Sequence, residues 1–279
     1  MLQDNTVPAG QDSWPIHVES IGCLPLCVAY KWTITDVAIL ARLVSRIAIG
    51  QATAVTRVLE ALEVTLPAPP AESAITAALG RFTTPANDAI RYRRDGWLFQ
   101  TIAWLATWQG RSPGDLIRTP QFRQGEHGID GLLISVDSTN GRVGGVSICE
   151  QKATDNPRKK IYEQVWPEIE QYERGERDDQ LVAEVAALLE RKDASTAVSL
   201  ASAIHWKHQR RYRVSVTVGE TFDAKKYLST FSGYDEKAGG SAERRHAETL
   251  ALVDLRGWMD TLSEFICREL TALKGSNDV

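Results

Sequence analysis

The segment from Gly125 to Lys152 constrains the fold of this chain most strongly, because its sequence predicts two β-strands joined by a turn. Successive side chains of a strand point to opposite faces, so residues of one parity share a face. The even-numbered positions of both strands carry apolar residues: Leu132, Ile134, Val136, Val146 and Ile148. Asp130, Glu150 and Lys152 also have even numbers, so within each strand they lie on the apolar face.

The register of this hairpin decides whether its charged residues meet. A two-residue turn at Asn140-Gly141 would pair even positions with odd ones and would separate the two apolar stripes. Burying both stripes together requires an odd loop or one β-bulge, for which Gly144-Gly145 is a suitable place. In that register Asp130 lies beside Glu150 or Lys152, at the end of the hairpin far from the turn. Burial of the apolar face thus predicts that two carboxylates and an ammonium come together.

These three groups are those that a Mg²⁺-dependent phosphodiesterase needs. Carboxylate oxygens bind Mg²⁺ (or Mn²⁺), which keeps several waters and takes up phosphate oxygens of the substrate. The ion lowers the pKa of a bound water and stabilises charge on the attacked phosphate. A neighbouring lysine can orient that water or counter the developing negative charge. The three groups therefore predict metal-dependent hydrolysis of a phosphodiester bond.

The motif itself is Gly128-Ile129-Asp130-Gly131, a hairpin, and then Glu150-Gln151-Lys152. This pattern resembles the PD-(D/E)XK nuclease superfamily over roughly residues 88–175. The resemblance implies an α/β fold with a restriction-endonuclease-like core, in which a central mixed sheet is flanked by helices. It also implies that Asp130, Glu150 and the main-chain carbonyl of Gln151 bind the metal, with Lys152 at the attacking water.

The helix predicted over residues 88–110 departs from the resembled pattern. A helix before the hairpin often supplies a glutamate near the metal in that superfamily, whereas the corresponding face here offers Gln100. Gln100 is a candidate catalytic residue that would hydrogen-bond a metal-bound water, or else an interior glutamine bonded to the main chain. Two alternatives to a nuclease stay open for this reason. One is a catalytically inactive protein of the same fold that binds nucleic acid or a protein partner, and the other is an unrelated α/β protein.

Two basic clusters are candidates for binding nucleic-acid phosphates. The net charge of the chain is −4, so any such site must be a local patch. One cluster lies in the first turn of a helix predicted to begin at Pro157, whose next two turns carry Tyr162 and Gln164 as further residues that could face the site. The other cluster precedes a predicted strand over residues 214–218. The candidate phosphate contacts are Arg158, Lys159, Lys160, Arg210 and Arg211, and a solvated basic surface is the alternative for each cluster.

The remaining sequence predicts the organisation of the chain. Residues 1–70 form an α-rich accessory region that ends in a proline cluster, and residues 71–279 form the nuclease domain. The stretch from Ser241 to about Lys274 is predicted to be helical and to cap one side of the sheet.

Scattered cysteines, a polar N-terminus and the lack of an apolar run of about eighteen residues favour a cytoplasmic protein with no membrane partner. The length of the chain and the central position of its motif also look similar to the nuclease subunit of Hachiman phage-defence systems. That resemblance implies a helicase partner.

Overall fold

The computed structural model describes residues 14–60, 71–120, 128–137, 143–190, 209–219 and 223–275. These residues include seven strands that form one sheet. The strands are β1 (Ile16–Ile21), β2 (Val28–Ile34), β3 (Leu116–Ile117), β4 (Gly131–Val136), β5 (Val143–Lys152), β6 (Arg210–Val218) and β7 (Arg245–Ala251). Their order is β1-β2-β7-β6-β5-β4-β3. The four central strands β2, β7, β6 and β5 are parallel, and the outer strands pair antiparallel, so the sheet is mixed as predicted.

Helices cover both faces of this sheet, which confirms the α/β class. The first helices are α1 (Val37–Ala48), α2 (Ala52–Leu59), α3 (Glu72–Phe82) and α4 (Asp88–Gly110). After β5 follow α5 (Pro157–Lys160), a π-helical turn (Ile161–Val165), α6 (Trp166–Arg174) and α7 (Asp178–Glu190). The last are α8 (Ala224–Thr230), α9 (Tyr234–Lys237) and α10 (Leu255–Gly275). Within the described ranges, no helix combines the length and apolar character needed to cross a membrane.

Two apolar cores lie on opposite faces of the sheet. One joins the even-numbered residues of β4, β5 and β6 to the helical segments from α5 to α9. The other joins α1, α3, α4 and α10 to the opposite face, mainly through Trp32 and Leu250. The end of β5 therefore lies between a helix of each layer, α4 on one side and α6 on the other.

The hairpin has the register that burial of its apolar face requires. Leu132 pairs with Ile148 and Ile134 pairs with Val146, so even positions face even positions. The register shifts after Ser135, which pairs with Gly145, and Gly144 is the extra residue of a β-bulge. The predicted bulge is thus confirmed at this glycine pair.

The prediction that the chain is helical from Ser241 to about Lys274 is wrong in its first third. Residues 245–251 form β7, which pairs with β2 on one side and β6 on the other. The sequence RHAETLA has helix-forming residues, but long-range partners stabilise the strand. Glu248 accepts hydrogen bonds from Arg213 and from the Ser215 hydroxyl, and Thr249 contacts the Tyr227 hydroxyl at 3.0 Å. Only α10 corresponds to the predicted cap.

The N-terminal region contributes to the same sheet. β1 and β2 are two of its seven strands, and α1 packs in the layer that contains α4 and α10. The predicted α-rich layer is therefore partly β-structure. The boundary predicted at the proline cluster lies in residues 61–70, outside the described residues, and the two-domain division stays a prediction.

Candidate active site

The predicted motif residues meet where β4 begins and β5 ends. Asp130 directly precedes β4, and Glu150 and Lys152 are among the last three residues of β5. The Lys152 Nζ atom lies 3.0 Å from Asp130 Oδ2 and 2.9 Å from Glu150 Oε2. The structure thus brings the two carboxylates and the ammonium into direct contact.

Asp130 is held by donors from both sides of the sheet. Gln100 of α4 donates from Nε2 to Asp130 Oδ1 at 2.9 Å. The Gln151 main-chain N–H donates to Asp130 Oδ2 at 3.0 Å, beside the bond from Lys152. Gln100 therefore lies at the predicted site, where it orients a carboxylate instead of replacing one.

The glycine after Asp130 lets the two strands approach closely. A Cβ added to Gly131 would lie 3.1 Å from Cys149 Cβ and 3.3 Å from Gln151 Nε2. Both distances are shorter than an ordinary van der Waals contact, so a larger residue here would push β4 away from β5. The second glycine of the Gly-Ile-Asp-Gly motif thus keeps Asp130 within reach of Lys152.

Glu150 is an unusual carboxylate because only 2% of its surface is exposed. Burial raises its pKa well above the usual value, the charge of Lys152 opposes this shift, and the charges of Asp130 and Glu168 add to it. The Oε1 atom of Glu150 has no hydrogen-bond partner among the described residues. A buried acceptor of this kind can bind a cation or a proton that supplies the missing contact.

Lys152 is a cation at neutral pH in this arrangement. Burial lowers its pKa, but the carboxylates of Glu150, Asp130 and Glu168 raise it by more, and the net pKa lies above that of a free lysine. The ammonium can therefore donate hydrogen bonds and counter negative charge, but it is a poor proton acceptor.

Sequence analysis missed two residues of the site, Glu168 and Tyr172 of α6. The Glu168 carboxyl lies close enough to Glu150 for a hydrogen bond between them if one of the two is protonated. Tyr172 is fully buried, and its hydroxyl has no hydrogen-bond partner among the described residues. Tyr162 and Gln164, which were predicted to face the site, are exposed instead.

The local helix geometry explains why α6 reaches the site and why the π-helical turn before it, which carries Tyr162 and Gln164, does not. Pro167 lies in the first turn of α6, directly after the π-helical turn. Proline cannot donate a main-chain hydrogen bond, and a π-turn adds a residue and rotates the following helix. Glu168 and Tyr172 are four residues apart and so share one face of α6. A signal in the sequence was available, since the pair lies on the same helical face as buried Ile161 and Val165.

The donor groups at this site fit a hard divalent cation. Carboxylate and main-chain carbonyl oxygens are suitable ligands, and the unpartnered Oε1 atom of Glu150 is available to bind an ion. The Gln151 N–H points towards Asp130, and in a strand the carbonyl of the same residue points to the same edge. Across the described ranges, no group of three or more acidic, histidine or cysteine side chains is arranged to hold a metal ion. Mg²⁺ commonly uses only one or two carboxylates, so the residues present are sufficient.

The first basic cluster lies at the start of the helix that follows the site. Lys159 is exposed and forms only a surface pair with Glu163 at 3.9 Å, while Lys160 is half-buried. Arg158 donates to the main-chain carbonyls of Thr230 and Ser232 at 3.2 and 2.8 Å. Lys159 and Lys160 therefore stay candidates for a phosphate contact, whereas Arg158 connects α5 to the segment after α8.

The second basic cluster lies away from the carboxylates. Arg210 and Arg211 pair with Val146 and Ser147 in the middle of β5, three to four residues before Glu150. Arg210 is only 1% exposed and forms an ion pair with Asp178 at 2.9 Å. Its burial conflicts with the predicted phosphate contact, because desolvation and the ion pair give it a structural role. Arg211 is half-buried, and its guanidinium packs over Gly145.

Comparison with known proteins adds no assignment. No protein-family model matches this chain, and a search of curated proteins gives no match. The resemblance to the PD-(D/E)XK superfamily rests on the motif, and the function that it implies is argued below as a proposal.

Proposed function

We propose that this chain is a Mg²⁺- or Mn²⁺-dependent nuclease of the PD-(D/E)XK superfamily that hydrolyses phosphodiester bonds, with DNA as the expected substrate. One observation carries this proposal. The Lys152 ammonium contacts the carboxylates of Asp130 and Glu150 at the end of the hairpin. Two carboxylates and a lysine in contact are the groups that metal-assisted phosphodiester hydrolysis requires.

Each residue has a distinct part in this proposal. Asp130, Glu150 and the main-chain carbonyl of Gln151 would hold the ion, which when bound acts as a Lewis acid on the phosphate and makes water a better nucleophile. Gln100 and the Gln151 N–H keep the Asp130 carboxylate in one orientation. Lys152 donates a hydrogen bond to the attacking water or to a phosphate oxygen and counters the negative charge that develops.

The proposal also assigns the contacts outside the reacting groups. Lys159 and Lys160 would neutralise phosphates of the strand that leads away from the site. A role in phage defence with a helicase partner, in the cytoplasm, belongs to the same proposal because the resemblance to the Hachiman nuclease subunit implies it.

A cleavage assay on plasmid and single-stranded DNA tests the proposal. The purified protein is incubated with Mg²⁺, with Mn²⁺ and with EDTA, beside Glu150→Gln, Lys152→Met and Glu163→Gln. Glu163 is an exposed glutamate of the neighbouring helical turn and serves as the matched control. We expect metal-dependent cleavage that falls by at least about a hundredfold in the first two variants, the size of loss typical for a group that stabilises transition-state charge. Cleavage by Glu163→Gln should equal that of the wild type.

Two other outcomes would change the assignment. The protein could bind Mn²⁺ but cleave no DNA, even when a helicase partner is added. This result would favour a catalytically inactive protein of the same fold, the alternative that Gln100 in place of an acidic residue suggests. Cleavage that persists in EDTA or in Glu150→Gln would contradict the proposed site.

A further inference from the structure

We propose that Glu168 binds the divalent cation together with Glu150, so that α6 supplies the acidic ligand that position 100 of α4 lacks. This inference rests on the proposed function, because it concerns the same cation. It goes beyond the motif, since Glu168 belongs to a helix that follows the motif and packs on the face of the sheet opposite to α4.

The first support is the pair of unpartnered polar atoms beside Glu168. Glu150 Oε1 and the Tyr172 hydroxyl both lie in the interior without a hydrogen-bond partner among the described residues. Leaving either group unsatisfied destabilises the folded state, so a native protein normally provides a partner. A cation with its bound waters would satisfy the carboxylate directly and the hydroxyl through a water.

The second support is the position of Glu168 itself. Arg177 Nη1 lies 3.8 Å from Glu168 Oε2, and the Arg177 guanidinium lies 4.7 Å from the centre of the Tyr172 ring. Arg177 also donates to Gln180 Oε1 at 2.7 and 3.0 Å. Glu168 and Tyr172 are therefore held on one side by a fixed guanidinium. The Glu168 side chain remains 32% exposed, so an ion can reach it from solvent.

The third support is the balance of charge. Asp130, Glu150 and Glu168 carry three negative charges when ionised, and Lys152 and Arg177 carry two positive charges. One negative charge is left over among these groups in a largely buried place. A divalent cation more than offsets this excess, leaving one positive charge, and screens the repulsion between Glu150 and Glu168, which no hydrogen bond can do while both are ionised.

Mn²⁺ binding measured by calorimetry on the full chain tests this proposal, with the Mn²⁺-induced rise in Tm as a second readout. We expect Glu168→Gln to weaken binding by at least about tenfold, the lower limit of the loss when a group supporting a metal site is removed. Its Mn²⁺-induced rise in Tm should shrink in parallel, and Glu163→Gln should match the wild type in both measurements. Glu168→Gln keeps a side chain of the same size, so a purely structural role predicts a lower metal-free Tm and an unchanged Mn²⁺ affinity.

The outcomes separate this inference from the proposed function. One outcome is that Glu150→Gln abolishes Mn²⁺ binding and Glu168→Gln leaves it unchanged. This would overturn the role of Glu168 and leave the nuclease proposal standing. Another outcome is that both variants lose Mn²⁺ affinity while the wild type cuts no DNA with or without a partner. This would support the cation site and overturn the nuclease proposal. A wild type that binds no Mn²⁺ overturns both. Should Glu168→Gln not fold, Glu168→Asp replaces it: its shorter carboxylate should weaken Mn²⁺ binding, and unchanged affinity would overturn the inference.

Discussion

At the scale of single residues, the position of Asp130 depends on partners that are distant from one another in the sequence. Gln100 reaches it from α4, and Gln151 and Lys152 reach it from β5. Every one of these partners donates a hydrogen bond, so together they fix the orientation of the carboxylate. Gln100 therefore contributes orientation, and a glutamate at the same position would place a second negative charge against Asp130.

His246 gives a prediction about pH at the same scale. It lies beside Arg213 in the β6–β7 ladder, and burial followed by the charge of Arg213 lowers its pKa to about 4 from 6.5. A group with a lowered pKa in the folded state stabilises the fold above its unfolded pKa, and this contribution is lost as the pH falls through the folded value. We expect the wild type to lose at most about 3 kcal/mol from this residue between these two pH values. Urea unfolding over that pH range should show a smaller loss of unfolding free energy for His246→Gln than for the wild type. An equal loss in both proteins would contradict the prediction.

At the scale of elements, α4 is fixed to α10 by a buried ionic network. Asp95 is fully buried and accepts hydrogen bonds from Arg94 at 2.8 and 3.0 Å and from Arg256 at 2.5 Å. Arg94 also pairs with Asp260 of α10 at 2.5 Å. This network lies just over one turn before Gln100 on the same helix, so it helps to hold the helix that orients Asp130.

Removing one member of this network should destabilise the fold without changing the metal ligands. Asp95→Ala leaves two guanidiniums without their shared partner, and breaking a buried ion pair in this way costs about 3–5 kcal/mol. Asp88→Ala in the exposed first turn of α4 is the control, and it should cost less than about 1 kcal/mol. Urea unfolding measures both losses. A decrease in stability for Asp95→Ala no larger than that for Asp88→Ala would show that the network contributes little.

At the scale of the whole molecule, the negative net charge means that the proposed binding of nucleic acid would depend on a few local contacts. The carboxylate cluster repels phosphate, so in this proposal Lys159 and Lys160 after β5 provide the attraction. Their number sets the dependence of binding on salt, because each neutralised phosphate releases about 0.9 counterion.

This reasoning predicts the effect of removing those lysines. The Lys159→Ala, Lys160→Ala double variant should lower the slope of log affinity against log salt by about 2 for duplex DNA. Arg268→Ala is the control, since Arg268 is 70% exposed on α10 and its side chain pairs with Glu264 on the same helix. Fluorescence anisotropy in a Glu150→Gln background measures binding without cleavage. An unchanged slope in the double variant would place the phosphate contacts elsewhere.

The sequence alone determined the features that depend on neighbouring residues. The two-residue period of the hairpin was sufficient for its register, and its paired glycines marked the place where a bulge could lie. The contact of Lys152 with two carboxylates followed from that register, because every side chain of a strand changes face together when the register shifts.

Only the tertiary structure decided the features that depend on residues far apart in the chain. β7 is a strand because Arg213, Ser215 and Tyr227 satisfy its polar residues, which local propensity cannot show. Arg210 is buried because Asp178 neutralises it, although its sequence context is that of a surface patch. Glu168 joins the motif because α6 packs across the end of β5: helical periodicity indicates which face of α6 is buried, but not which other element that face will meet.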